Sequence, residues 1–236
     1  MASLMQKPVC EAANALLRGR DRIRVLEAGC GSASQIKFTA QVHAVGIDIE
    51  AEELENNAAV QEKILGDIQD YPLPKDDFDV VICWMVLEHL SRPKDALTNL
   101  FRAVKPGGIV ILGFPNLASI KGLVTKFTPF WFHALFYRFM RYKSHHFPTY
   151  LRVAILPDKL IRFAEDNGFA PAFVRLAEGG VAKRLRNRFG LADLAFSAVQ
   201  RAAQIVSLGN WQSALFDECA VILQKGVKEQ PREIPG

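Results

Sequence analysis

Short apolar runs alternate with amphipathic segments along the first half of the chain. One run ends at Val25 and Leu26, and others cover 42–49, 63–68, 78–85 and 109–114. Each is close to strand length, and the first run and most of 78–85 are apolar at successive positions, the pattern of a strand buried on both faces. Between them, residues 32–40, 51–59 and 93–104 are expected to be helical, with Ser32 or Ser34 as a cap for the first and Pro93 in the opening turn of the last. Before the first run, Val9, Ala12, Ala13, Leu16 and Leu17 recur at helical spacing, which predicts a lead-in helix over about 3–18. Strand and helix in this rhythm imply a parallel sheet with crossover helices. Further on, residues 157–167 predict a helix, 171–178 a sixth strand and 218–224 a last strand.

The first strand leads into Glu27-Ala28-Gly29-Cys30-Gly31. Two glycines one residue apart permit a tight turn and a close approach of backbone to ligand. By itself this motif also suits a plain turn. The neighbouring strands change the picture, because they end in acids. Asp48 closes the second strand, 17 positions after Gly31, and Asp67 closes the third. Ligands of open parallel sheets sit at the carboxyl ends of the strands, and an acid near the spacing of Asp48 suits ribose hydroxyls. Asp48 also reads as an N-cap for 51–59, and the two roles are compatible. Trp84 stands at the end of the fourth strand, so Glu27, Asp48, Asp67 and Trp84 share one rim. Carboxylates on such a rim need a ligand or water as partner, because burying them unpaired is costly. A dinucleotide site would use a third glycine and a helix N-terminus for its pyrophosphate. Ser34 occupies that glycine's position, which disfavours a nicotinamide-dependent oxidoreductase.

These pieces, in this order, resemble the class I S-adenosylmethionine-dependent methyltransferases. The matching segments are Val25-Leu26-Glu27-Ala28-Gly29-Cys30-Gly31, Gly46-Ile47-Asp48-Ile49, Gly66-Asp67-Ile68 and Phe78-Asp79-Val80-Val81. Val86-Leu87-Glu88-His89-Leu90 and Lys105-Pro106-Gly107-Gly108 complete them. The resemblance covers about 20–116, with a looser echo at 157–178. It implies a Rossmann-like α/β fold with a seven-stranded, mostly parallel sheet, an antiparallel last strand, and S-adenosyl-L-methionine as cofactor. It further implies that Glu27 organises the glycine loop beside the methionine end and that Gly29 and Gly31 pack against the cofactor. Asp48 would take the ribose hydroxyls, with Ile49 on an adenine face. Asp67 would accept from the adenine amino group, with Ile68 alongside, and Trp84 would lie near the sulfonium. One departure is Ala33, where the family often has a third glycine.

Residues 121–150 break the pattern. Phe127, Phe130, Trp131, Phe132, Phe136 and Tyr137 crowd together, with Arg138, Arg141 and Lys143 beyond them and His145-His146 after. The expected architecture is a single domain with its core in 20–116 and 157–225. A helical, aromatic-rich lid would cover about 117–156, and a helical insertion about 180–217. The lid reads as a cover over the site, as the wall of an apolar acceptor pocket, or as an interfacial segment with rings in lipid and arginines at headgroups. His145 and His146 on the lid, and His89 in the loop after the fourth strand, are the candidate general bases.

Bulk properties narrow the partners. Half of the 236 residues are hydrophobic, enough for a sizeable core, and a net charge of +4 is too weak to argue for nucleic acid. Cys10, Cys30, Cys83 and Cys219 form no paired motif, so no metal site is expected and a reducing compartment is. Glu11 and Asn14 interrupt the apolar N-terminal stretch, which argues against a secretory signal. The expected function is methyl transfer to a small or lipophilic acceptor in the cytoplasm, with peripheral membrane contact an open alternative. The rival from another class is a non-catalytic S-adenosylmethionine-binding protein that docks to a membrane or partner.

Overall fold

In the computed structural model, which describes residues 5–116, 155–177 and 218–227, seven strands pair in the order β3-β2-β1-β4-β5-β7-β6. The strands are β1 (Arg22–Ala28), β2 (Gln41–Asp48), β3 (Glu62–Leu65), β4 (Phe78–Trp84), β5 (Val104–Pro115), β6 (Phe169–Ala177) and β7 (Glu218–Lys225). The first five run parallel, and β7 lies antiparallel to both β5 and β6. This is the fold class expected from the sequence. The lid, His145, His146 and the 180–217 insertion lie outside the described residues.

Alternation along each strand divides the core between two faces. One carries Val25, Val80, Ile82, Ile109, Ile111 and Ile222, and α1 (Gln6–Leu16) packs on it through Met5, Val9, Ala13 and Leu17. The other carries Leu26, Val45, Val81, Val110 and Leu223. It is covered by α3 (Pro93–Ala103) through Leu97, Leu100 and Phe101, and by α4 (Pro157–Asp166) through Leu160 and Ala164. Burying one such Val, Leu or Met contributes roughly 1.5–3 kcal/mol. Both faces are therefore needed, which explains the unbroken apolar runs.

The amino ends of the strands are stapled by charge. Arg20 donates to Asp79 at 2.7 Å, and Arg24 reaches Asp77 and Glu62, each at 3.0 Å. Lys225, ending β7, donates to Asp76 at 2.8 Å and to the Phe101 and Val104 carbonyls at the end of α3. An ammonium there meets the negative pole of the helix.

One expected element is absent. Residues 32–40 form turns and extended chain instead of a helix. Ser34, Ile36, Phe38 and Ala40 are turned inward while Gln35, Lys37 and Thr39 are exposed, a period of two. Side chains of α1 take the backbone groups that a helix would have paired. Asn14 accepts from the Thr39 amide at 2.7 Å and donates to the Lys37 carbonyl at 3.1 Å, while the Cys10 sulfur accepts from the Lys37 amide at 3.4 Å. The second helix is shorter than expected, α2 (Ala51–Asn56), and β3 ends at Leu65, so Asp67 stands in the loop beyond it.

Candidate functional site

A two-lobed cleft opens at the carboxyl rim of β1, β2 and β4. The first lobe, about 450 Å³, is walled by Asp48, Ile49, Asp67, Ile68, Val86 and His89. The second, about 490 Å³, runs toward α1 between Gln6, Ser32, Gln35 and Glu218. Gly29, Gly31, Glu53, Trp84 and Met85 line both lobes, so the glycine loop is their common floor. A larger recess of about 680 Å³ lies at the opposite rim, by Arg22, Arg24 and His43. It is on the amino side of the strands, where ligands of open parallel sheets do not sit.

The glycine loop is held from below. Gly29 and Gly31 have φ of +70° and +48°, where an L side chain is strained. A side chain at Gly29 would also collide with Val86, whereas at Gly31 the nearest heavy atom, Glu53 Oε2, is 3.8 Å from a Cβ. Gly31 thus faces the open cleft. The amides of Gly29 and Cys30 donate to the Ile47 carbonyl at 2.8 and 3.3 Å. The Gly31 amide donates to Asp48 Oδ2 at 2.8 Å, and Asp48 Oδ1 accepts from the Glu50 amide at 3.0 Å. Asp48 is therefore a bracket between the loop and the start of α2. It does not cap that helix in the expected way, because the cap position is Glu50. Each carboxylate oxygen keeps a further lone pair that can face the cleft.

Two residues that sequence reasoning missed complete the bracket. Asn57, fully buried at the end of α2, donates to the Cys30 and Gly31 carbonyls at 3.2 and 3.0 Å and accepts from the Ala59 amide at 3.0 Å. Gln69 lines the first lobe and donates to both Asp67 oxygens, at 3.1 and 2.9 Å, while its own oxygen accepts from the Arg92 amide at 2.7 Å. Gln69 thereby ties the loop after β3 to the loop after β4. The only advance sign was a polar amide, inside the predicted second helix for Asn57 and just past the predicted third strand for Gln69.

The other expected residues divide by position. Trp84 lines both lobes, and its ring fills the space a side chain at Gly113 would need. Ile49 is 59% exposed within the first lobe, while Ile68 is buried in its wall. Glu27 lines neither lobe. It is buried beneath the glycine loop, where desolvation pushes its carboxyl up and the neighbouring Ser34 hydroxyl, outside hydrogen-bond geometry, partly offsets this. Met85, unanticipated, has φ of +56° and an exposed side chain where the lobes meet.

No helix begins at the glycine loop, and the Gly31 amide is already spent on a carboxylate, so the features that hold a pyrophosphate are missing. Among the described residues the lobes are lined by acids, Asp48, Glu50, Glu53, Asp67 and Glu218, without lysine or arginine. A phosphate-free nucleoside with a cationic sulfonium and an ammonium group fits this lining.

An open sheet with a glycine loop at its carboxyl rim defines a Rossmann-like nucleoside-binding domain. Residues 26–112 match the methyltransferase domain family, which supports the resemblance of this segment to the class I S-adenosylmethionine-dependent methyltransferases. It is 31% identical over 118 residues to a probable S-adenosylmethionine-dependent methyltransferase of Mycolicibacterium smegmatis, covering 48% of this chain and 45% of that one. It is 32% identical over 114 residues to the mitochondrial ubiquinone biosynthesis O-methyltransferase of Schizosaccharomyces pombe, covering 43% and 41%. The chain thus spans less than half the length of these curated relatives. An S-adenosylmethionine-dependent methyltransferase structure from Archaeoglobus fulgidus shares the fold at a TM-score of 0.54 and 18% identity, over 92% of this chain and 94% of that one. A [4+2]-cyclase, SpnF, shares it equally, at 0.54 and 16% identity over 93% and 80%.

Proposed function

We propose that the protein transfers the methyl group of S-adenosyl-L-methionine to a small or lipophilic acceptor. The observation that carries this reading is the acid-lined, phosphate-incompatible cleft over the glycine loop. Asp48, Ile49, Asp67 and Ile68 would hold the adenosine in the first lobe. Gly29, Gly31 and Trp84 would lie along the methionine part, with Glu27 supporting the loop from beneath. Bound there, the cofactor supplies an electrophilic methyl on a sulfonium. The chain's task is then to orient an acceptor in line with that methyl and to exclude water. Where the acceptor carries a proton at neutral pH, His89, which lines the first lobe, would take it. His145 and His146 stay candidates for the same role from outside the described residues.

The acceptor class rests on the apolar composition of 121–150 and on the names of relatives, which include ubiquinone-pathway and malonyl-[acyl-carrier protein] O-methyltransferases. Another relative is named a tRNA methyltransferase, so RNA belongs among the acceptors assayed. The test is calorimetric titration with S-adenosylmethionine and with NAD⁺, then transfer of labelled methyl into fractionated small molecules, lipids and RNA. Binding of the first ligand only, with label in a small-molecule or lipid fraction, is expected. Binding without label in any fraction would reduce the protein to a cofactor-binding module, and the cyclase with this fold shows that the architecture alone does not dictate methyl transfer.

A further inference from the structure

Two buried side-chain oxygens lack a hydrogen-bond partner among the described residues, Ser34 Oγ and Glu88 Oε2. The second is the costlier, because an unsatisfied carboxyl is among the most expensive groups to bury. Glu88 sits in the short 3-10 turn Leu87–His89 after β4 and is 4% exposed. It does not line the cleft, but its neighbour His89 does, with a side chain 31% exposed. Glu88 Oε1 lies 3.9 Å from His89 Nε2. A carboxyl that reaches neither solvent nor ligand thus stands directly behind an imidazole that reaches the cleft.

We propose that Glu88 is a positioning residue for His89, exchanging charge with the imidazole and fixing its orientation toward the cleft. The catalytic consequence rests on the methyl-transfer reading. The acceptor's lone pair forms the bond to the methyl carbon, the electron pair of the old bond leaves with sulfur, and the acceptor's proton passes to His89. In its ionised form the Glu88 side chain stabilises the imidazolium so formed, and in its protonated form it withdraws that support. Burial pushes the Glu88 carboxyl up to about 8, so its charge changes near working pH. The other titratable group in reach among the described residues is the Cys83 thiol on β4, itself pushed up by burial. Asp48, Glu50, Glu53 and Asp67 share the cleft with His89.

The experiment follows the Glu88 carboxyl by ¹³C and the His89 ring by ¹⁵N NMR across pH 5–10, without cofactor. The two signals are expected to share an inflection. Glu88→Gln removes it from the ring, and His89→Gln moves the carboxyl curve. Glu88→Gln is further expected to lower methyl transfer at least tenfold and flatten the pH–rate limb that follows Glu88, with S-adenosylmethionine affinity within twofold of wild type. Signals without a common inflection overturn the proposal, and the wild-type spectra decide this even if a variant fails to fold. Turnover of Glu88→Gln within twofold of wild type also overturns it. Failure of the methyl-transfer reading is distinguishable, because it shows as absent label transfer by the wild type while the shared inflection persists.

Discussion

Asp48→Ala tests the bracket under the glycine loop more directly than any other change. The substitution removes the acceptors of the Gly31 and Glu50 amides, at 2.8 and 3.0 Å. Hydrogen bonds to a charged group contribute about 1.5–3 kcal/mol each. The Glu50 amide is on an exposed residue and regains water, so its share is small. Gly31 is half-buried over the cleft and recovers less. The expected loss of stability is roughly 2–4 kcal/mol for the cofactor-free protein, read from urea unfolding at constant m. Asp48→Asn keeps one neutral acceptor and should fall between wild type and Asp48→Ala. Cofactor affinity should fall with loop order and with the lost ribose acceptors, by at least 100-fold, or about 2.7 kcal/mol. Unfolding free energy within about 0.5 kcal/mol of wild type would refute the bracket. A destabilised variant with wild-type affinity would refute cofactor contact while leaving the bracket in place.

The stability of the fold should depend on pH through Glu88. Its carboxyl keeps a proton in the folded state up to about 8, against an ordinary value of 4.5, so the folded state binds the extra proton between these values and stability falls as pH rises through them. The slope is ~1.4 kcal/mol per pH unit and the full loss roughly 5 kcal/mol. Glu88→Gln should flatten that slope in urea titrations at pH 5, 7 and 9, and parallel slopes would contradict the assignment. Gly29→Ala should unfold the domain at lower temperature than Gly31→Ala, since both are strained but only the first collides with Val86. Gly31→Val should keep its melting transition within a few degrees of Gly31→Ala and lose S-adenosylmethionine binding, and retained affinity would show that the ligand does not approach there. Asn57→Ala strands the buried Cys30 carbonyl and removes the partner of the half-buried Gly31 carbonyl, while the exposed Ala59 amide regains water, so it should cost about 2–3 kcal/mol, with weaker cofactor binding by calorimetry. An unchanged melting temperature would show that the loop holds its shape without Asn57.

The strands and the rim were legible in the sequence because the signals are local, whereas their order across the sheet came from the tertiary structure. The centre of a strand buried on both faces must be apolar, so β1, β2, β4 and β5 announce themselves, and the acids Asp48, ending β2, and Asp67, just past β3, stand out. The glycine pair of the loop is equally local, since positive φ at Gly29 and Gly31 is a property of single residues. Tertiary structure decided what these groups do. Residues 32–40 have the composition of a weak helix, yet Asn14 and Cys10, more than twenty residues away, supply partners that favour an extended chain. The Asp48 carboxylate turns under Gly31, and Gln69 captures Asp67, because parallel pairing sets their loops side by side. Glu88 and His89 are adjacent in sequence, but only packing buries one and opens the other to the cleft. Spacing along a chain reports backbone period and residue type. Burial, and with it the charge of a carboxyl, depends on what the rest of the fold places around it.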